Sequence, residues 1–352
     1  MPEKVKKTAH KCPICGKTEF PERGSFDICT ECGWEDDMIQ TEDPYEEAGA
    51  NMMSLNEYKA AYESGWRPDW LADVKIKLKA TDDNSICVKT IVGAIVGDVV
   101  GSVYEFNNIK TKDFPLFKNG CFATDDSIMT LAVAKAVMES NEEHSDLGDN
   151  AVRYMQEIGR PYPRCGYGGN FMNWIYSERP QPYNSFGNGS AMRVSPVAYA
   201  AKSLAEAEKM AKLVTEVTHN HPEGVKGAKA TAGAVWLALN GASQEDIGRY
   251  VKGNYYKIDF TLDEIRPTYE FNEICQDTVP QAIEAFLEAR DFEEALRNAI
   301  SIGGDSDTLA AITCSIAGAY WGVPESIMKK SASYLDDRLS KILVEFDNRY
   351  CS

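Results

Sequence analysis

The sequence lacks a long apolar segment, an excess of positive charge and a series of strand-like segments. No run approaches the roughly 18 apolar residues that a membrane helix needs, and the opening MPEKVKKTAHKCPICG has no apolar signal-peptide core. We therefore expect a cytoplasmic protein without membrane contacts. Lys and Arg total 37 against 54 Asp and Glu, which gives a formal net charge of −17. Because such a surface repels phosphates, bulk nucleic-acid binding is not expected.

The composition of the 352-residue chain changes near residue 73. Before this point the sequence is rich in cysteine, acidic and aromatic residues, and after residue 88 it is a succession of Ala-rich segments. The polar, lysine-rich stretch between them is typical of a linker. We predict a cysteine-rich module over 1–72, a linker over 73–87 and a second domain over 88–352.

The apolar residues of the second domain recur at the spacing that is typical of helices. Strand signals are few, and the best one, YYKIDFTL at 255–262, is isolated. Many helices without a strand series indicate an all-α domain and exclude a doubly wound sheet. The predicted helices cover 88–104, 126–139, 147–159, 168–176, 190–201, 204–217, 223–239, 243–252, 277–288, 291–301, 307–321 and 325–347.

The N-terminal module contains two C-x2-C-G turns, formed by Cys12 and Cys15 and by Cys29 and Cys32. Each turn presents two sulfur atoms on one side, and two turns complete the tetrahedron that structural zinc requires. Accidental cysteine pairs and a redox C-x2-C are the less favoured alternatives, because the turns are paired and no thioredoxin-like strand pattern accompanies them. We expect His10 to lie in a solvated tail rather than to bind the metal.

The same module resembles the cysteine-rich CPCC family. The resemblance covers roughly 12–66 and includes FDIC at 26–29, GWEDD at 33–37, GAN at 49–51 and SLNE at 54–57. It implies a small zinc-ribbon-like accessory module that binds one Zn²⁺. Such a module either recruits a partner or a modified target, or caps the catalytic part of the chain.

Two segments place hydroxyl and carboxylate side chains in the first turn of an Ala-rich helix: TDDS at 124–127 and GGDSDT at 303–308. A single Asp at a helix start is usually an N-cap, and that interpretation stays open here. However, burial of four carboxylates without a cation would cost several kcal/mol for each ion. Neither motif contains Lys or Arg, so a divalent cation that prefers oxygen ligands, Mg²⁺ or Mn²⁺, is the natural partner. The candidate metal ligands are Thr124, Asp125, Asp126, Asp305, Asp307 and Thr308.

A third segment combines small residues with a candidate base. Gly93, Gly97 and Gly101 recur at every fourth position, which lets another helix approach closely. Glu105 follows between two aromatic residues, a setting that raises the pKa of a carboxyl group and suits proton transfer. An ordinary acidic residue at a helix end is the alternative for Glu105.

Two further segments are candidates for ligand binding. FGNGSAMR at 186–193 is a glycine-rich turn that runs into a helix, where backbone N–H groups can hold a phosphate, although a plain turn is the alternative. His219 and His221 precede another Ala-rich helix. We expect one of them to contact a ligand and the other to cap the helix, rather than both to bind a metal.

Taken together and in this order, the segments resemble the ADP-ribosylglycohydrolase family, whose founding members reverse ADP-ribosylation of proteins. The resemblance spans most of 89–347 and includes GAIVGDVVGSVYEF, TDDS, GYGGNF, SFGNGSAMRVSP, HNHPEGVKGA and ISIGGDSDTLAAI. It implies an all-helical, compact orthogonal bundle with two Mg²⁺ ions in a cleft, Mn²⁺ being possible.

The resemblance also assigns roles to single residues. It implies that one ion is held by Thr124, Asp125, Asp126 and Asp307, and the other by Asp305, Asp307 and Thr308. The candidate catalytic residues are Asp126, Glu105 and Asp125. The diphosphate loop is Gly187, Asn188, Gly189, Ser190 and Met192, and His219 lies near the adenosine.

The implied reaction is hydrolysis of the N- or O-glycosidic bond at C1″ of an ADP-ribosylated protein or small molecule, with release of ADP-ribose. The first alternative is a reader that binds ADP-ribose without turnover. The second is a hydrolase of a non-protein ADP-ribosyl compound or of ADP-ribosylated nucleic acid.

Overall fold

The computed structural model describes residues 9–21, 23–25, 29, 31–46, 50–51, 53–68 and 87–351. The chain forms two compact units, one within 1–84 and the other within 85–352. Residues 73–86 of the predicted linker lie outside the described residues, as do residues 26–28 and 49 of the CPCC resemblance. The exact domain bounds therefore stay a prediction.

In its described residues, the N-terminal unit is a two-stranded ribbon followed by two short helices. The second helix begins with a capping box, in which Ser54 accepts a hydrogen bond from the Glu57 backbone and the Glu57 side chain accepts one from the Ser54 backbone. Phe20, Trp34 and Tyr58 form a small apolar core beside the cysteines. The elements are β1 (His10–Lys11), β2 (Glu19–Phe20), α1 (Met38–Glu42) and α2 (Leu55–Glu63).

The second unit is a helical bundle, which confirms the predicted all-α class. Its described part contains two short strands, β3 (Cys87–Val88) and β4 (Val323–Pro324), which pair antiparallel. The helices are α3 (Val92–Gly101), α4 (Asp125–Met138), α5 (Leu147–Gly159), α6 (Gly169–Tyr176), α7 (Gly189–Met192), α8 (Pro196–Ala200), α9 (Leu204–Glu216), α10 (Pro222–Leu239), α11 (Gln244–Asn254), α12 (Leu262–Ile265), α13 (Cys275–Leu287), α14 (Phe292–Ser301), α15 (Ser306–Trp321), α16 (Glu325–Ala332) and α17 (Asp337–Tyr350).

Several predicted elements differ from the structure. The isolated strand signal at 255–262 forms no strand: residues 255–261 are irregular, and Thr261 caps α12. The helix predicted at 190–201 is two helices, because Pro196 lacks the N–H that a continuous helix would use. The helix predicted at 325–347 is also two helices. The N-cap of the second is Asp336, whose side chain accepts a hydrogen bond from the Leu339 backbone.

The predicted close approach of another helix to the three glycines of α3 is confirmed, and that helix is α15. A Cβ atom built on Gly93 or Gly97 would overlap the carbonyl oxygen of Cys314 or Ala310, respectively. A Cβ atom on Gly101 would overlap the backbone of Asp307. The glycines therefore bring the first turn of α15 against the C-terminal end of α3.

Candidate active site

The starts of α4 and α15 lie close together in the second unit. Thr308 donates a hydrogen bond from its hydroxyl to Asp126 Oδ2 at 3.3 Å, which joins the two helix starts directly. Glu105, Asp305 and Asp307 each offer a carboxylate oxygen, and these atoms all lie within 4.8 Å of one another. We use the name acidic cluster for the following side chains: Glu105, Thr124, Asp125, Asp126, Asp305, Asp307 and Thr308.

The start of α4 is held by a residue that our sequence reasoning overlooked, Asp98 on α3. This fully buried carboxylate accepts hydrogen bonds from Thr124 N at 3.0 Å, Thr124 Oγ1 at 2.6 Å, Ser127 N at 3.0 Å and the Ser127 hydroxyl. Burial raises the pKa of Asp98 to about 6, although all four hydrogen bonds favour its ionised form. The signal in the sequence is a lone acidic residue inside the apolar run GAIVGDVVG.

Within the acidic cluster, Thr124 and Asp126 keep free bonding capacity. The Thr124 hydroxyl donates its proton to Asp98 and accepts a hydrogen bond from Asp126 N at 3.3 Å. A hydroxyl oxygen has two lone pairs, so one stays available for a metal. Asp126 Oδ1 is buried and has no hydrogen-bond partner among the described residues. Such an orphan acceptor is expected where a ligand completes the site.

The carboxylates of the acidic cluster are buried or half-buried and repel one another. Burial and then the neighbouring carboxylates raise the pKa of Asp126 and Asp307 well above the usual range. The same causes raise the pKa of Asp125, which is half-buried, to about 8. Because like charges at this separation resist joint ionisation, a cation would stabilise the ionised cluster.

The pKa of Glu105 is raised, as the sequence predicts. Burial raises it to about 7, and repulsion from Asp305 and Glu273 adds to this effect. Of its two aromatic neighbours in sequence, Tyr104 is buried and Phe106 is 80% exposed. The carboxylates that add to the effect of burial belong to distant parts of the chain.

The loop after Glu105 is attached to the second acidic motif by Asn108, which the sequence did not single out. Asn108 donates from Nδ2 to the carbonyl oxygens of Glu105 and Gly304, both at 2.8 Å, and accepts from Gly304 N at 2.7 Å. Gly304 has a φ of +79°, which glycine adopts without strain. Asn108 thus fixes the position of the Glu105 backbone relative to the start of α15.

The glycine-rich segment lies beside the acidic cluster and is linked to it by side chains. Asn188 donates from Nδ2 to Asp305 Oδ2 at 2.7 Å and to Thr278 Oγ1 at 3.2 Å. The Ser190 hydroxyl donates to Gly224 O at 2.8 Å, and Met192 Sδ lies 3.9 Å from Thr308 Oγ1. These three side chains are buried, so Gly187 and Gly189 remain the open part of the loop.

One of the two histidines caps a helix, as predicted. His221 is the N-cap of α10, and its Nδ1 accepts a hydrogen bond from Glu223 N at 3.1 Å. His219 is 5% exposed, and its Nε2 faces the positions where Cβ atoms on Gly187 and Gly189 would lie. His219 is therefore the histidine placed against the glycine-rich loop.

The cysteine centre in the N-terminal unit contains Cys12, Cys15, Cys29 and Cys32, whose sulfur atoms all lie within 4.8 Å of one another. The Cys12–Cys32 and Cys15–Cys29 sulfur separations are 3.5 and 3.4 Å. Tetrahedral zinc with bonds of about 2.3 Å requires sulfur separations of about 3.8 Å, so the arrangement fits this ion. The expected solvated tail position of His10 is wrong, because its Nε2 lies 2.8 Å from Asp36 Oδ1.

The helical bundle and its acidic cluster have the features of an all-α glycohydrolase, and comparison with known proteins agrees. Residues 80–348 match the model of the family described as ADP-ribosylglycohydrolase. The chain belongs to the ADP-ribosylglycohydrolase family and is a glycohydrolase enzyme. Residues 10–87 match the cysteine-rich CPCC family model, so the N-terminal unit is a CPCC module.

Individual relatives support this membership. The chain is 28% identical to ADP-ribosylhydrolase ARH3 of Homo sapiens, in an alignment covering 69% of this chain and 88% of that protein. It is 25% identical to ADP-ribosylarginine hydrolase Tri1 of Pseudomonas putida, in an alignment covering 81% of this chain and 85% of that protein. A solved structure titled ADP-ribosylglycohydrolase-related protein complex shares the fold, with a TM-score of 0.53 and 23% identity. The match covers 74% of this chain and 96% of that chain. Separately, none of the helices in the described segments has the length and apolar character needed to cross a bilayer.

Proposed function

We propose that this chain is a Mg²⁺-dependent hydrolase that cleaves the N- or O-glycosidic bond at C1″ of ADP-ribosylated substrates and releases ADP-ribose. The observation that supports it most is the meeting of two acid-bearing helix starts with Glu105 in one cluster. The membership of the family, together with the glycine-rich loop beside this cluster, supports ADP-ribose as the group that is recognised.

The oxygen-rich donor set fits hard divalent cations. Carboxylate and hydroxyl oxygens are ligands that Mg²⁺ accepts, and the orphan Oδ1 of Asp126 and the remaining lone pair of Thr124 are available. When bound, two Mg²⁺ ions, or Mn²⁺, would supply positive charge and orient the hydroxyls of the distal ribose. The residues proposed to hold them are Thr124, Asp125, Asp126, Asp305, Asp307 and Thr308.

Asp126 and Glu105 are the candidates for activating water. Asp126 Oδ1 is free to accept a proton from a water molecule, and Glu105 is half-buried among the same carboxylates. The water oxygen forms a bond to C1″, its proton passes to one of these carboxylates, and the bonding pair of the cleaved bond leaves with the acceptor atom. Asp125 is the third candidate and lies at the first residue of α4.

The remaining proposed contacts orient the rest of the substrate. The open glycines Gly187 and Gly189 leave room for a diphosphate, and His219 faces the same space. Asn188 connects this loop to Asp305, so the two subsites are held in a defined relation.

The N-terminal module is proposed to hold one Zn²⁺ through its four cysteines. Four protein ligands leave no open coordination position, which is the pattern of a structural site rather than a catalytic one. We propose a zinc-binding module over 1–72 and a catalytic domain over 88–352, joined by a linker over 73–87.

The test is a panel of defined ADP-ribosylated proteins, small molecules and nucleic acids incubated with Mg²⁺, Mn²⁺ or EDTA, with free ADP-ribose as the readout. We expect release that depends on the metal and that EDTA abolishes. Binding without release would make the chain a reader, and release from non-protein compounds or nucleic acids alone would select the second alternative.

A further inference from the structure

Arg193 is a buried cation directly behind the glycine-rich loop. It is 1% exposed, and its guanidinium lies over the Phe171 ring at 5.3 Å from the centroid. Among the described residues no carboxylate lies within ion-pair distance of it, and its Nε atom has no hydrogen-bond partner. Its Nη2 atom instead donates to the Thr218 hydroxyl oxygen at 2.6 Å. Burial of an unpaired cation is costly, so this arrangement calls for a reason beyond packing.

The neighbour of this group is His219. Its Nδ1 atom lies 2.7 Å from Thr218 Oγ1 and 3.4 Å from Nη2 of Arg193. A guanidinium is only a donor, so Nδ1 must be an acceptor for Arg193. Arg193 also donates to one lone pair of the Thr218 hydroxyl oxygen. The proton of this hydroxyl has two possible acceptors, and Nδ1 at 2.7 Å is nearer than Thr215 O at 3.5 Å. Both contacts therefore favour an unprotonated Nδ1.

The other ring nitrogen consequently carries the proton. In a neutral imidazole one nitrogen is a donor and the other an acceptor. Burial, and then the charge of Arg193, lower the pKa of His219 well below its usual value, so the ring stays neutral. A Cβ atom on Gly189 would lie 3.4 Å from Nε2, and one on Gly187 would lie 3.6 Å from it. Because both residues are glycines, no side chain at these positions covers the Nε2–H group.

We propose that Arg193 and Thr218 hold His219 as the Nε2–H tautomer, which donates a hydrogen bond to a phosphate oxygen of a nucleoside diphosphate at Gly187 and Gly189. The opposite tautomer would present a lone pair to an anionic oxygen and would repel it. Arg193 is a positioning residue, since it acts through His219. The identity of the ligand rests on the proposed function, whereas the tautomer does not.

The test begins with the ring nitrogens of the full-length, ligand-free protein, observed by ¹⁵N NMR. The chain has 4 histidines, so the His219 signals are assigned by their absence in H219Q. We expect a protonated Nε2 and an unprotonated Nδ1 in the wild type. In R193Q we expect a mixture of tautomers and a loss of ADP affinity of about tenfold, the size of a hydrogen bond to a charged group. Adenosine, which lacks phosphate, should bind equally to both proteins.

R349Q is the matched control, because Arg349 also lies over an aromatic ring, that of Tyr350 at 5.2 Å, and donates to Met138 O at 2.7 Å. It should change neither the tautomer nor the ADP affinity. If R193Q does not fold, T218V removes the hydroxyl that links the two residues and is measured in the same way.

Three results would overturn the inference: a protonated Nδ1 in the wild type, an unchanged tautomer and ADP affinity in the folded variant, or an equal loss of ADP and adenosine binding. The proposed function fails separately. A protein that shows the expected tautomer and ADP loss, yet releases no ADP-ribose with Mg²⁺, would refute the hydrolysis and leave the role of Arg193 intact.

Discussion

The cysteine centre and the acidic cluster both gather metal-type ligands, but they are assembled in different ways. The four cysteines come from a segment of 12–32, and each C-x2-C turn places its own two sulfur atoms. The acidic cluster joins Glu105 to Asp307 and depends on bonds between residues as far as 196 positions apart. The geometry of a local motif therefore follows from its own sequence, whereas the geometry of a cluster of distant carboxylates depends on how the helices pack.

The largest effect is expected from C29S, which removes one sulfur from the cysteine centre. Structural zinc contributes on the order of 10 kcal/mol to such modules, so the module should lose its metal entirely. Metal content after dialysis, measured by mass spectrometry, tests this. The control C351S changes a cysteine outside the centre and should retain the zinc. Full zinc content in C29S would show that the centre does not depend on its four ligands.

The second effect is expected from D126N, which keeps the shape of the acidic cluster but weakens the orphan acceptor. Loss of a base or metal ligand at this position should lower ADP-ribose release by about 10²–10⁴-fold. The variant should retain its fold by circular dichroism. D149N changes an exposed Asp in the first turn of α5 and should release ADP-ribose at the wild-type rate. Equal rates for both variants would contradict the proposed role.

The third prediction concerns Asp98, which lies outside the acidic cluster but binds Thr124 at the start of α4. D98N replaces one carboxylate oxygen by an NH₂ donor that faces the hydrogen-bond donors of Thr124 and Ser127. Loss of such a supporting bond typically costs roughly 10–100-fold in metal affinity. Calorimetric titration with Mg²⁺ measures it.

The matched control is D347N, because Asp347 is also a buried carboxylate and accepts from the Thr90 hydroxyl at 2.7 and 2.6 Å. We expect D347N to lower the free energy of unfolding without weakening Mg²⁺ binding. A similar Mg²⁺ affinity in D98N and the wild type would remove Asp98 from the account of the site.

The smallest effect is expected from N108A, which frees the Glu105 backbone from Gly304. Loss of these neutral hydrogen bonds should cost about 1 kcal/mol in transition-state stabilisation, seen as a lower kcat with little change in unfolding. N141A removes a comparable loop bond, the one from Ser145 N at 3.1 Å, and should not change kcat. An unchanged kcat in N108A would mean that Glu105 needs no such support.

What the sequence leaves open follows the same division. The segment 255–262 alternates like a strand, but residues 255–261 are irregular and the chain continues into α12. The pKa of Glu105 is raised as its sequence neighbours predict, but the distant carboxylates that add to the effect of burial are not visible in the sequence. Asp98 was overlooked because its partners lie 26 and 29 positions away in sequence.

The features that depend only on residues close together in the chain could be predicted from the sequence. The spacing of the cysteines, the acid-bearing helix starts at Asp125 and Asp305, and the glycine pattern of α3 follow from turns and helical periodicity alone. Tertiary structure alone decided which helix meets those glycines, that Asp98 holds Thr124, and that Arg193 faces His219. The physical reason is that burial and hydrogen bonding between distant residues arise only when helices pack, and no local spacing encodes them.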